Sequence, residues 1–268
     1  VICFFAYFVR GVSGFGSGLV ATPLLAHFLP LQTVVPLMLV LDFSANLAMT
    51  RATRGEADWH ELKPLLAAGL VGVPIGAFLL IQVPPAYLLL LLGPLIVAFG
   101  LRSALGIQNN RPVAPVWAVP AGLLGGAISG TFGTGGPPYV IYLTRRLSDK
   151  GTLRATIARL FLVEGGLRLV VFAVLGLLLV AQVWQLALVG WVALAAGLWL
   201  GSKVHLKMSH AEIFRVVGWL LVLSGSSLAV KGWLLHHRQA AGQALRRLTA
   251  TPVNTLLGAL VLGIALAL

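Results

Sequence analysis

Two short stretches of this sequence combine residue types that could hold an anion. Ser13–Pro23 reads SGFGSGLVATP, and Ser129–Pro138 reads SGTFGTGGPP. Each lies inside an apolar run of roughly thirty residues, where glycine and proline interrupt a helix. A helix broken there frees backbone N–H groups, and the half-helix that starts at the break presents a positive dipole end. Gly14, Gly16 and Gly18 supply the first break, and Gly130, Gly133 and Gly135 the second. Ser13, Ser17, Ser129, Thr131 and Thr134 add hydroxyl donors beside them. The competing reading is tight helix packing, with the hydroxyls bonded to their own helix. The occurrence of the motif at two comparable places weighs for a site, because broken helices in matching repeats mark the substrate site of transporters.

Ionisable residues inside apolar segments form the second group. Asp42 lies within LMLVLDFSANLAM, and Arg159, Glu164 and Arg168 lie within ATIARLFLVEGGLRLVV. Charges at membrane depth are costly and default to functional hypotheses. Arg168 has a planar fork suited to an oxyanion. Asp42 or Glu164 could carry a coupling proton or ion. Glu164 and Arg168, four residues apart, could instead form a structural pair on one helix face. Asp42 could equally bond to a neighbouring break. Arg10 either faces the same cavity or reaches a surface, and Arg159 is expected to reach a surface.

Other chemistry finds little footing. Gly14–Gly18 superficially contains G-x-G-x-G, but no strand precedes it and no P-loop lysine follows. No nucleophile–base pair is apparent, so an enzyme is not expected. Cys3 is the only cysteine, which excludes an internal disulfide. No metal-ligand cluster or cofactor motif is visible. The balance of 19 basic against 7 acidic residues, net +12, would suggest nucleic acid in a soluble protein. Here the basic residues lie mostly in short loops between apolar runs, where orientation signals belong.

The elements that must position these residues are membrane helices. Hydrophobic residues make up 59% of the chain and charged ones 10%, with a mean hydropathy of +0.96. Soluble domains are nearer half apolar and a quarter charged. Apolar segments fall near 1–29, 31–50, 63–83, 85–105, 115–143, 153–180, 183–202, 211–233 and 252–268. The first, VICFFAYFVRG, reads as a membrane segment rather than a signal peptide. Gly72, Gly76, Ala86, Gly93 and Gly100 match Gly197, Gly201, Ala211, Gly218 and Gly225, each pair 125 residues apart. The two Gly-rich motifs repeat at offsets of 116 to 117. The expected architecture is an all-α polytopic membrane protein with two homologous halves of four helical elements. Its parts are a first repeat (1–105), a linker (106–114), a second repeat (115–233) and a basic linker with a last apolar segment (234–268). If each Gly-rich segment enters and returns to the same side, eleven basic loop residues share one face and four the other. Full single crossings give a nine-to-six split. The orientation rule therefore favours re-entrant breaks and inverted halves over parallel ones.

In these features the sequence resembles the sulfite exporter TauE/SafE family of bacterial membrane permeases. The likeness rests on the paired Gly-rich motifs and on RGEADWHELKPLLAAGLVGVPIGAFLL (54–80), a short Asp-Trp loop before a Gly-xxx-Gly helix. The proline-led helix at Pro84-Pro85-Ala86 fits as well. The likeness covers about residues 1–233. It implies transport of a small anion, such as sulfite or an organosulfonate, across the cytoplasmic membrane without a cofactor. The implied partners are that anion and membrane lipid; with no basic stripe interleaved with aromatics outside the spans, nucleic acid is not expected, and a homo-oligomer is compatible with the sequence. The first motif departs from the family's triple glycine, and the second continues into two prolines, which leaves the substrate open. Another small anion or organic acid, moved by a carrier or channel, and a non-transporting scaffold are the alternatives.

Overall fold

In the computed structural model, residues 1–13, 16–52, 56–106, 112–203 and 210–250 are described. Among them the chain is helical, with no strand. The first apolar segment is split into α1 (Ile2–Ser13) and α2 (Ser17–Leu25). Single helices follow: α3 (Leu31–Ala52), α4 (Trp59–Gln82) and α5 (Pro85–Ala104). The fifth segment opens with a 3-10 turn (Pro115–Trp117) and is split into α6 (Ala118–Phe132) and α7 (Gly136–Arg146). Then come α8 (Lys150–Val174), α9 (Ala181–Lys203) and α10 (His210–Ala250). The apolar segment expected at 252–268 lies outside the described residues.

Among the described residues, five helices are long and apolar enough to cross a membrane: Leu31–Ala48 of α3, Trp59–Gln82, Pro85–Ala104, Ala181–Lys203 and Arg215–His237 of α10. The split pieces α1, α2, α6 and α7 have 12, 9, 15 and 11 residues, each short of the roughly 20 a span needs. Local chemistry sets several ends. Asp58 caps α4 by accepting from the His60 and Glu61 amides, and Asp149 caps α8 by accepting from Thr152. Pro85 opens α5, where its missing N–H costs nothing.

Three helix pairs carry the most extensive contacts: α4 with α6, α5 with α10, and α1 with α9. Small residues make these approaches. A Cβ at Gly76 would stand 2.1 Å from the Ala127 carbonyl oxygen of α6, and one at Gly201 would stand 2.4 Å from that of Phe8 in α1. On the third pair, Gly93 meets the Gly225 carbonyl and Gly100 meets that of Gly218. Close backbone approach of this kind replaces the hydrophobic drive that helices lack in lipid. Large side chains such as Phe78, Leu91, Val170, Leu188, Val192 and Leu223 are exposed on the outside, as a lipid-facing surface requires.

The second split segment folds back on itself. Tyr139 of α7 donates to the Gly122 carbonyl of α6 at 3.4 Å. One turn on, Tyr142 donates to the Pro115 carbonyl at 3.4 Å, and Arg146 Nη1 reaches the Val113 carbonyl at 3.2 Å. The start of α6 and the end of α7 therefore lie side by side. Glu61, at the head of α4, binds both Tyr142 and Arg146 at 2.5 Å. Asp58 N donates to Thr156 Oγ1 at 2.9 Å, which brings the head of α8 to the same end.

Candidate functional site

The two breaks are built on glycines with left-handed backbone: Gly16 at φ 95° before α2, and Gly133 at φ 72° ending α6. Residues with a Cβ rarely adopt this conformation. The breaks touch. A Cβ on Gly18 would lie 2.7 Å from the Gly133 carbonyl oxygen and 3.6 Å from Asp42 Oδ2. Around this crossing lies a cavity of about 60 Å³, above the roughly 15 Å³ needed to admit a water.

Most of the sequence-selected residues meet there. Gly16, Ser17, Gly18, Ser129, Gly133, Thr134, Gly135, Asp42, Glu164 and Arg168 all line the cavity. Gly130 does not. It packs on α4, where a Cβ would stand 2.4 Å from the Val73 carbonyl oxygen. Thr131 bonds the Gly76 and Ala127 carbonyls, the packing role considered for these hydroxyls. Ser13 is the last residue of α1, and Gly14 lies outside the described residues.

Arg10 completes the first half of the site. It is 5% exposed and lines the cavity, so its charge does not reach a surface. Its Nη1 donates to Asp42 Oδ1 at 2.8 Å and to Ser17 Oγ at 2.9 Å, and its Nη2 donates to Asn46 Oδ1. Tyr7 and Ser17 also donate to Asp42 Oδ1, at 2.8 and 2.6 Å. Asn46 is held in turn by the Phe161 carbonyl at 3.2 Å. Asp42 is thus an ion-paired acceptor joining α1, α2 and α3. The signal for Arg10 was present in the sequence: it is the only charge in the first apolar run, seven residues before Ser17.

The second half is arranged differently. Glu164 and Arg168, both on α8, are 3% and 4% exposed, yet they form no ion pair with each other among the described residues. The structural pair that their spacing allowed as an alternative is not formed; the Arg168 guanidinium instead lies over the Phe172 ring, 5.6 Å from its centroid. This carries Arg168 Nη2 to the second break, 3.6 Å from where a Cβ on Gly133 would lie. Arg168 Nε and Nη2, Glu164 Oε1, Thr134 Oγ1 and Thr22 Oγ1 are all buried without a hydrogen-bond partner. Thr22 escaped notice in the sequence because it lies one and a half turns past the break, in α2. Buried polar groups are nearly always partnered; of this set Arg168, Glu164 and Thr134 line the cavity, whereas Thr22 does not.

A helical bundle with an apolar outside, two helix breaks in contact and charged side chains at their crossing has the make-up of a membrane transporter. The chain belongs to the sulfite exporter TauE/SafE family, whose family model matches residues 1–228. It is 27% identical over 198 residues to the probable inner membrane transporter protein TsaS of Comamonas testosteroni, covering 74% of this chain and 83% of the relative. It is 27% identical over 240 residues to the probable sulfite/organosulfonate exporter TauE of Cupriavidus necator, covering 85% of this chain and 92% of the relative. No solved structure matches the chain significantly.

Proposed function

We propose that this chain is a secondary transporter of the inner membrane that exports a small anion, sulfite or an organosulfonate, by alternating access. The observation that carries the reading is the buried Arg168 guanidinium, with Nε and Nη2 unpartnered at the contact between the two breaks. An anion oxygen would take those donors, the Thr134 hydroxyl, free N–H groups at the start of α2 and the N–H of Gly136, the next two residues of α7 being prolines without one. Gly16, Gly18, Gly133 and Gly135 keep the backbone close to it, and Ser17 and Ser129 wall the site. Arg10 already has partners and acts on the anion as a fixed charge. Without a nucleotide-binding motif in the sequence, gradients supply the energy.

The transporting unit in this reading is two halves, 1–105 and 115–233, of inverted orientation. Reciprocal packing supports it: the Gly-xxx-Gly of α4 rests on α6, and its sequence match in α9 rests on α1. The return of α7 to the start of α6 supports a re-entrant second break. Rocking of one half against the other would expose the cavity to each side in turn. Arg168→Ala is expected to insert normally and to lose sulfite and organosulfonate flux in proteoliposomes. Wild-type flux from that variant would sink the reading.

A further inference from the structure

We propose that Glu164, and not Asp42, takes up one proton with each anion, so that the two cross the membrane together. This rests on the anion-site reading above. The formal charges in the cavity are those of Arg10, Arg168, Asp42 and Glu164. With both carboxylates ionised, two positive and two negative charges cancel. A monoanion entering that site would leave an uncompensated charge in a region of low dielectric, which is costly. With Glu164 protonated the site carries one net positive charge, and one monoanion restores neutrality. Anion and proton therefore favour each other's binding.

Geometry separates the two acids. Asp42 Oδ1 accepts from Tyr7, Arg10 and Ser17 at 2.6–2.8 Å, and protonating it would disrupt a satisfied network. Glu164 Oε1 is buried without a partner in the wall of the cavity. A proton on that oxygen becomes a donor, the group an anion oxygen can accept. The ionisable groups around Glu164 are few. Arg168 lies one turn on in α8, and Asp42 faces it from α3. Tyr139 interacts with it from α7, and Ser129 of α6 is its hydrogen-bonding neighbour. Arg10 lines the same cavity from α1. On α4, which also packs on α8, the charged groups His60, Glu61 and Lys63 sit in the first turns, with Glu61 held by Arg146. In the cycle, water on one side protonates Glu164 Oε1 as the anion binds Arg168. On the other side the anion leaves and the proton returns to water; the outward gradient of the anion itself drives this joint exit, because the proton moves against an inward proton gradient.

Calorimetric titration of the purified full chain with methanesulfonate, whose sulfonate carries no titrating proton, tests this in buffers of different ionisation enthalpy. The wild type is expected to take up close to one proton per anion bound at near-neutral pH. Glu164→Gln is expected to take up none, and Glu164→Asp to take up the proton with a shifted pH midpoint. Binding without proton uptake by the wild type, or unchanged uptake by Glu164→Gln, would overturn the coupling and leave the anion site standing. No binding of either methanesulfonate or sulfite by the wild type would overturn both. If Glu164→Gln does not fold, Glu164→Asp should shift the pH midpoint of uptake, and an unmoved midpoint counts against Glu164.

Discussion

Arg10 and Arg168 bring the same charge to one cavity, and their neighbours give them different work. Arg10 is saturated by Asp42, Ser17 and Asn46, so its removal strands a buried carboxylate. Arg10→Met is expected to destabilise the protein by about 3–5 kcal/mol, read as a lowered unfolding temperature in detergent. Arg168 has donors to spare, so Arg168→Met should leave that temperature nearly unchanged. It should weaken sulfite binding on the order of 10- to 100-fold, the loss of a charged hydrogen bond worth about 1.5–3 kcal/mol. Arg168→Lys should not restore affinity, because a single ammonium cannot offer two donors in a plane. Equal unfolding shifts for the Arg10 and Arg168 variants would refute this division. At this scale much was legible in the sequence: Asp42, Glu164 and Arg168 stood out as charges in apolar runs. That Arg10 rather than Arg168 pairs with a carboxylate was not legible, because Asp42 reaches Arg10 across 32 residues.

At the scale of the helices, glycine does two separable jobs. Gly106 has φ 63° with open space around its Cβ position, whereas Gly76 has ordinary backbone and no space. Gly106→Ala should cost only the left-handed penalty, about 1–2 kcal/mol. Gly76→Val must push α6 from α4, and a larger loss of thermal stability is expected; equal losses would show that the crossing is not the constraint. The half-helix α2 is anchored from outside its own segment. Lys231 of α10 donates to the Ala26 and His27 carbonyls at 2.9 and 3.0 Å, a cation on a helix C-terminus. Lys231→Met is expected to raise hydrogen exchange in α2 with little change in α4, and unaltered α2 protection would count against the anchor. At the head of α8, the backbone amide of Thr152 holds the Asp149 carboxyl below the usual carboxylate range. This cap contributes above the ordinary carboxylate value of about 3.9 and is lost as pH falls through the lowered one. The segment boundaries were readable from apolar run length and breaks. The Lys231 contact was not, since it joins residues 204 and 205 positions apart.

At the scale of the whole molecule, the inverted arrangement makes a prediction about which loops share a side of the membrane. Glu61, Arg146 and the Val113 carbonyl gather at one end of the bundle, with Asp58 and Thr156 beside them. Inverted halves require the loops at 51–63 and 144–154 to share a side of the membrane. With Cys3 replaced by serine, single cysteines at Arg54 and Lys150 are expected to react with an impermeant thiol reagent from the same side. Labelling from opposite sides would establish parallel halves and remove the basis for the rocking mechanism.

The sequence by itself determined the class of protein, the positions of the helices and both breaks, and most of the polar residues that line the cavity. These follow from local quantities: apolar run length, glycine and proline placement, and charge within a run. The tertiary structure decided which charges pair, which donors stay free and which glycines serve packing instead of the cavity. Those outcomes depend on distances between separate segments, from 32 residues apart for Arg10 and Asp42 to over a hundred for Gly18 and Gly133. Local pattern carries no measure of them; helix packing sets them.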